Sequence, residues 1–214
     1  MLYDITPTIT SKLAVWPGDT PLTRELLCDM ARGDNVTLST LRATVHLGAH
    51  ADGPSHYGED APAIHERSLD YYLGPCQVIR VAVAQATRIA SDILPGELST
   101  PRVLFATGTY PDPQNWNSDF AALSVELIDS LNDRGVITVG IDTPSVDLFD
   151  SKDLPAHKAM LRHDMAILEG LALKDVPEGT YELIALPLPL VGFDASPVRA
   201  VLRSISGGTR AVVS

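Results

Sequence analysis

The sequence is poor in cysteine and in positive charge, and each shortage excludes a class of protein. Its 214 residues include only two cysteines, Cys28 and Cys76, which are too few for a disulfide framework. Apolar neighbours flank both, so we expect buried free thiols. Lysine and arginine number 16 against 27 acidic residues, and the net charge is −11. This balance argues against a nucleic-acid partner, because nucleic acids bind basic surfaces.

Long apolar runs are also missing. The sequence contains no stretch of about 20 apolar residues that could span a bilayer, and its acidic balance argues against a polybasic membrane anchor. The first residues carry neither the basic region nor the apolar core of a signal peptide. We therefore expect no membrane association and a cytoplasmic location. The sequence shows no internal repeat or clear linker, and we expect residues 1–214 to form a single domain.

Histidine, by contrast, is concentrated in one place. Three of the six histidines and one aspartate lie between residues 46 and 56. Apolar and polar residues alternate from Leu41 onwards, which predicts a half-buried strand whose polar face carries His46, Gly48, His50 and Asp52.

Imidazole and carboxylate groups on one strand face suit zinc or manganese. Four residues of straight strand span roughly 13 Å, which is nearly too far for two imidazoles to meet on one ion. We therefore predict a bend between His46 and His50 at Gly48, where a kink costs least. No cysteine lies near, and structural zinc sites usually use cysteine, so an open catalytic site is favoured.

The remaining pattern predicts an α/β fold. Residues 124–134 have the apolar stripe of a helix, with Ser124 as its cap and Gly135 after its end, and a strand is predicted directly afterwards at 136–141. Pro155 predicts the start of a second helix over 155–163. Further strands are predicted at 2–5, 77–84, 102–107 and 181–186. Residues 198–203 fit a strand or a short helix.

Several residues outside the histidine cluster are candidates for a site. Asp142 and Ser145 follow a strand, where α/β proteins often keep functional groups, although a capped turn explains them as well. Glu169 lies inside an apolar run, either at an edge or in a buried site. His157 and His163 share a predicted helix, and composition leaves open which is a ligand. Trp16 lies in a loop, and packing and function explain it equally well.

The segment His46–His56, of the form His-x-Gly-Ala-His-x-Asp-Gly-Pro-x-His, resembles the motif of the cyclase-like metal-dependent hydrolases. Four further segments resemble the bacterial kynurenine formamidase branch of this family and extend the resemblance over nearly the whole chain. They are residues 16–19 (Trp-Pro-Gly-Asp), 140–145 (Gly-Ile-Asp-Thr-Pro-Ser), 167–170 (Ile-Leu-Glu-Gly) and 194–200 (Asp-Ala-Ser-Pro-Val-Arg-Ala).

The resemblance implies a fold, an assembly and a reaction. The fold would be a layered β/β/α sandwich, and the assembly a homo-oligomer, most simply a homodimer. The reaction would be metal-dependent hydrolysis of N-formyl-L-kynurenine to L-kynurenine and formate, which serves tryptophan breakdown by the kynurenine pathway. No Gly-x-Ser-x-Gly segment is present, so the sequence gives no support for a serine-based formamidase of the α/β-hydrolase type.

The resemblance also implies which residues hold the metal ions. His46, His50 and Asp52 would hold one divalent ion, and Asp52 would bridge to a second that takes His157. Glu169 would join both ions. Adjacent cations need such shared carboxylates to screen their repulsion, and zinc is the expected metal, with manganese as the alternative.

The resemblance assigns Trp16 to the aryl ring of the substrate. We expect His56 to act as a proton shuttle rather than as a ligand, because amide hydrolysis requires protonation of the leaving nitrogen. Two alternatives stay open: a related hydrolase of another aryl or cyclic amide, and a metal-dependent binding protein without turnover. A pure binder has no need of a non-ligand imidazole, which argues against the second.

Overall fold

The computed structural model describes residues 1–205. The strands are β1 (Leu2–Asp4), β2 (Thr23–Cys28), β3 (Leu38–Arg42), β4 (His50–Asp52), β5 (Leu73–Arg80), β6 (Arg88–Ile89), β7 (Arg102–Ala106), β8 (Ala122–Leu123), β9 (Thr138–Ile141), β10 (Ala166–Glu169), β11 (Gly179–Ile184), β12 (Ala195–Pro197) and β13 (Val201–Ser204). The α-helices are α1 (Val125–Asp133) and α2 (Pro155–Arg162). Short 3₁₀ turns occupy Met30–Arg32, Pro54–His56, Ile64–Glu66, Leu69–Tyr71 and Ser91–Ile93.

Nine strands form one mixed sheet in the order β1-β13-β11-β5-β7-β9-β10-β4-β12. The central strands β5, β7, β9 and β10 are parallel, as expected for strands joined by helical crossovers such as α2 between β9 and β10. The outer pairs are antiparallel. Because β1 pairs with β13, the first and last strands of the described chain lie together at one edge.

Strands β7, β9 and β10 are buried along their whole length, which explains why these central strands read as continuous apolar runs. The buried stripe of α1 (Leu127, Ile128 and Leu131) packs in a core with Phe105 and Ile141. The other face is covered by residues from loops and turns, including Ile5, Ile64, Tyr72 and Leu171. The predicted layered α/β fold is confirmed.

The predicted boundaries hold best for the helices. Ser124 caps α1 by accepting a hydrogen bond from the Leu127 N–H, and α2 begins at Pro155. The ambiguous segment 198–203 contributes a strand, β13. Cys76 is a buried free thiol as expected, whereas Cys28 is free but only half-buried. Within residues 1–205, no helix has both the length and the apolar character needed to cross a membrane.

The prediction of one continuous strand through residues 41–52 is wrong. Strand β3 ends at Arg42, and Leu41 is 67% exposed rather than half-buried. Irregular backbone follows until β4 begins at His50. Gly48 has a φ of +59°, a left-handed conformation that glycine adopts without strain. The bend predicted at Gly48 is therefore confirmed.

Strands β2 and β3 form a separate two-stranded arm, defined here as residues 23–42. Every residue of both strands is exposed except Cys28. The arm carries six apolar side chains with exposures between 36% and 67%, namely Leu26, Leu27, Met30, Val36, Leu38 and Leu41. Two strands alone bury too little surface for independent stability.

Candidate functional site

The site is assembled where β4 meets β10. These strands are antiparallel neighbours, with His50 opposite Glu169 and Asp52 opposite Ile167. The irregular segment before β4 adds His46, and the first turn of α2 adds His157. Residues far apart in sequence thus reach one place because the sheet puts β4 beside β10.

Asp52 lies between three imidazoles. Its Oδ1 is 3.2 Å from Nδ1 of His46 and 3.5 Å from Nε2 of His50. Its Oδ2 is 3.6 Å from Nε2 of His157. The two oxygens of one carboxylate therefore face different histidines, as a bridging ligand requires.

Glu169 completes the arrangement from the opposite strand. Its Oε2 is 3.3 Å from Nε2 of His50, and its Oε1 is 3.6 Å from Nε2 of His157. Oε1 also accepts a hydrogen bond from the Val146 N–H at 2.7 Å. The structure therefore brings together all five residues expected to be metal ligands.

The donor atoms of this cluster fit a metal ion. Among the described residues, Nε2 of His50 and both carboxylate oxygens of Asp52 are buried and have no hydrogen-bond partner. Buried polar atoms without partners are costly, and bound metal ions would satisfy these three atoms. Three imidazole nitrogens and two carboxylates are a donor set that zinc accepts.

Two histidines of the cluster, His46 and His157, have raised pKa values. Burial lowers the pKa of His46, but the carboxylates of Asp52 and Asp194 raise it, to about 9 overall. Burial likewise lowers the pKa of His157, while Asp147 and Asp52 raise it, to about 10 overall. Burial raises the pKa of Asp52, but the surrounding histidines bring it well below its usual value. A bound cation would replace the charge that these protons supply.

Asp147 orients the imidazole ring of His157. Nδ1 of His157 donates to Oδ2 of Asp147 at 2.8 Å, and Arg88 lies 2.8 Å from the other Asp147 oxygen. The backbone N–H groups of Ala156 and His157 also donate to Asp147. Fixing Nδ1 in this way leaves Nε2 facing Asp52 and Glu169. Asp147 is not among the site residues predicted from the sequence, because its ten-residue separation from His157 matches no local motif.

Two glycines allow the segment that carries His50 to approach the segment that carries Glu169. His50 Nδ1 donates to the Gly48 carbonyl at 2.8 Å, which turns Nε2 toward the carboxylates. Gly170 follows Glu169, and a Cβ added there would lie 2.2 Å from the Gly48 carbonyl oxygen. Any larger residue at position 170 would therefore push Glu169 away from His50.

His56 lies on the more open side of the cluster. Its Nδ1 is 3.2 Å from Oδ2 of Asp194, which also accepts a hydrogen bond from Nε2 of His46 at 3.0 Å. Donor atoms of His46, Asp52 and His56 lie within 4.8 Å of one another. The geometry therefore permits either a shuttle or a ligand role for His56, and the shuttle role stays a prediction. Asp194 belongs to segment 194–200, which carries part of the family resemblance, but no role was predicted for this residue.

A cavity of about 450 Å³ opens beside the cluster and has both His46 and His50 in its wall. Trp16 lines the same cavity and is 37% exposed. Its ring packs against Trp116 and Phe149, each with a centroid 5.2 Å away. The indole is thus held by neighbours while one part of it faces the cavity.

The two remaining histidines take part in other interactions. His163 pairs with Asp129 at 2.6 Å, and Nδ1 of His65 accepts a hydrogen bond from the Gly192 N–H. Of the two histidines near α2, His157 is the one that reaches the cluster.

Comparison with known proteins agrees with this geometry. The family model described as putative cyclase matches residues 3–148. The kynurenine formamidase of Bordetella petrii is 44% identical over 210 residues, covering 95% of this chain and 98% of its own.

Solved structures show the same fold. A structure titled as a potential metal-dependent hydrolase with cyclase activity superposes with a TM-score of 0.81 at 28% identity, covering 94% of this chain and 96% of its own. A predicted metal-dependent hydrolase from Bacillus stearothermophilus has a TM-score of 0.79 at 30% identity, covering 94% and 97%. An isatin hydrolase with a TM-score of 0.81, covering 94% and 91%, shares the fold at 18% identity. The chain therefore belongs to the cyclase family of metal-dependent hydrolases, in its kynurenine formamidase branch.

Proposed function

We propose that this protein hydrolyses N-formyl-L-kynurenine to L-kynurenine and formate in tryptophan breakdown. The observation that carries the proposal is the convergence of five ligand groups, four of them buried, beside a cavity that Trp16 also lines. The 44% identity to a kynurenine formamidase supports the choice of substrate. A formamide on an aryl ring needs both an apolar wall and groups that activate water, and the cavity provides the two together.

The proposal includes two divalent ions, with zinc as the metal and manganese as the alternative. His46, His50 and Asp52 would hold one ion, Asp52 and His157 the other, and Glu169 would contact both. When bound, such ions supply an activated water and a Lewis acid for the carbonyl oxygen. Asp147 and the Gly48 carbonyl keep the ring orientations of His157 and His50 by hydrogen bonding to their Nδ1 atoms.

His56 would move the proton that hydrolysis requires. Water must lose a proton as it attacks the formyl carbon, and the arylamine nitrogen must gain one as the C–N bond breaks. An imidazole near neutrality can do both. Asp194 holds Nδ1 of His56, which leaves Nε2 for this exchange. Trp16 would pack against the aryl ring and orient the formyl group toward the cluster.

We further propose that the protein is a homodimer in the cytoplasm. The exposed apolar side chains of the arm formed by residues 23–42 support a protein partner, since a hydrophobic surface on a two-stranded sheet is stabilised by being covered. The cytoplasm would keep the free thiols of Cys28 and Cys76 reduced.

Light scattering of the parent protein and of Leu41→Glu tests whether the arm forms the dimer interface. We expect the parent to be a dimer and the substitution to weaken it. A monomeric parent would contradict the proposal.

The function is tested by measuring formate release and metal content on one preparation. We expect steady formate release from N-formyl-L-kynurenine, about two equivalents of metal, and loss of activity on chelation that zinc restores. Isatin, a cyclic amide, serves as the comparison substrate. Preference for isatin would favour the related-hydrolase alternative, and substrate binding without formate would favour the non-catalytic one.

A further inference from the structure

The segment that follows the ligand Glu169 also forms one wall of the cavity. Residues 170–175 line it, with Leu171 and Leu173 buried and with Lys174 and Asp175 exposed. The ligand His50, which lines the same cavity, is only 3% exposed. Lys174 and Asp175 therefore place two opposite charges at the mouth of the cavity, while the metal ligands form its buried end.

Hydrogen bonds to its backbone hold this segment in place. Nη2 of Arg80 donates to the carbonyl oxygens of Leu173, Lys174 and Val176 at 3.2, 2.5 and 2.7 Å. The Ala172 N–H donates to the Ile5 carbonyl at 2.8 Å. The backbone that carries the two charges is consequently tied to β5 and to the residue after β1. A backbone that is already ordered reduces the entropy that is lost when these two side chains bind a ligand.

Charges of both signs line the cavity, with Asp142 and Asp175 as its acidic residues. The chain carries a net charge of −11, yet both Arg80 and Lys174 line this cavity. Within residues 1–205, neither side chain forms an ion pair with a carboxylate. Because the Arg80 guanidinium already binds backbone carbonyls, Lys174 is the cation that can attract an anion, and Asp175 beside it attracts a cation.

We infer that this mouth binds the amino-acid end of the substrate, with Lys174 contacting the α-carboxylate and Asp175 the α-ammonium group. The inference rests on the proposed function, since N-formyl-L-kynurenine has an aryl formamide at one end and a zwitterion at the other. The cavity presents matching ends: the cluster of proposed metal ligands with Trp16 at one end, and an exposed pair of opposite charges at the other. Asp142 also lines the cavity, but its carboxylate already accepts hydrogen bonds from Thr107 and Gly108.

The test compares two substrates that differ only in the carboxylate: N-formyl-L-kynurenine and its decarboxylated amine. Lys174→Met should lower kcat/KM for the amino acid about two- to fivefold, the range of an exposed ion pair, and leave that for the amine unchanged. Lys174→Glu should lower kcat/KM for the amino acid further, because its carboxylate repels that of the substrate, and Lys174→Arg should retain the kcat/KM of the parent. Lys152→Met, an exposed lysine outside the cavity, is the matched control.

Asp175 is tested with the same substrates, both of which keep the ammonium group. Asp175→Asn should lower kcat/KM for both, but not for 2-formamidoacetophenone, which lacks the whole amino-acid chain. Equal changes on all three substrates, or none, would overturn the inference while leaving the proposed function standing. If the parent protein releases formate from none of them, the proposed function fails and the inference fails with it.

Discussion

Oδ2 of Asp194 lies 3.2 Å from Nδ1 of His56. The half-exposed carboxylate is ionised, because the hydrogen bonds from His46 and His56 lower its pKa more than burial raises it. A carboxylate on Nδ1 fixes which imidazole nitrogen faces the reaction. His56 therefore resembles an oriented acid–base group more than a free surface histidine.

Replacing Asp194 by asparagine should slow turnover about 10–100-fold, the usual effect of losing an orienting partner. The rate and the metal content should be measured together, since Asp194 also contacts His46. Asp129→Asn is the matched control, because Asp129 forms a similar pair with His163 away from the cluster. A rate equal to that of the parent would show that Asp194 does not position His56.

His56→Ala separates the shuttle role from the ligand role. The variant should keep its metal and still bind substrate, but lose about 10²–10⁴ in kcat, the usual contribution of general acid–base catalysis. Added imidazole should restore part of the rate by occupying the space of the deleted ring. Loss of an ion would make His56 a ligand, and an unchanged kcat would remove it from the mechanism.

Asp52→Asn tests the bridging carboxylate. Asp52 faces three histidines from the buried interior, so loss of its charge should remove metal and nearly all activity. Circular dichroism should show a folded protein, because an amide of the same shape fills the site. Asp60→Asn, an exposed aspartate, controls for the change of charge. Full metal content and full rate in Asp52→Asn would rule out the binuclear arrangement.

Trp16→Ala should mainly weaken substrate binding. A stacked aromatic pair contributes about 0.5–1.5 kcal/mol beyond area burial, which corresponds to a rise in KM of about two- to tenfold. Trp16→Phe keeps an aromatic ring and the contacts with Trp116 and Phe149, so its KM should change less. If Trp16→Ala retains the KM of the parent, the side chain serves only packing.

Metal binding should release protons. The pKa of His46 is raised from 6.5 to about 9 and that of His157 to about 10, so both imidazoles are protonated at neutral pH. An ion must displace these protons, and its apparent affinity should therefore rise with pH up to about pH 10, the higher of the two pKa values. Calorimetric titration with zinc in buffers of different ionisation enthalpy measures the released protons. A binding enthalpy that is the same in every buffer would contradict this.

The local chemistry of the site and the elements nearest to it could be predicted from the sequence. The histidine motif identified His46, His50 and Asp52, and the need for two imidazoles to meet identified the bend at Gly48. The cap at Ser124 and the proline at position 155 located both helix starts. These features depend on neighbouring residues, so a single sequence is enough to predict them.

The way in which distant segments meet depends on the tertiary structure. Pairing of β4 with β10 brings Glu169 to His50, and the course of the chain brings Asp147 to His157 and Asp194 to His56. Alternation around Leu41 predicted a half-buried strand, but within residues 1–205 no second layer covers that arm. Burial and contact depend on what packs against a segment, and the alternation of a sequence does not specify that partner.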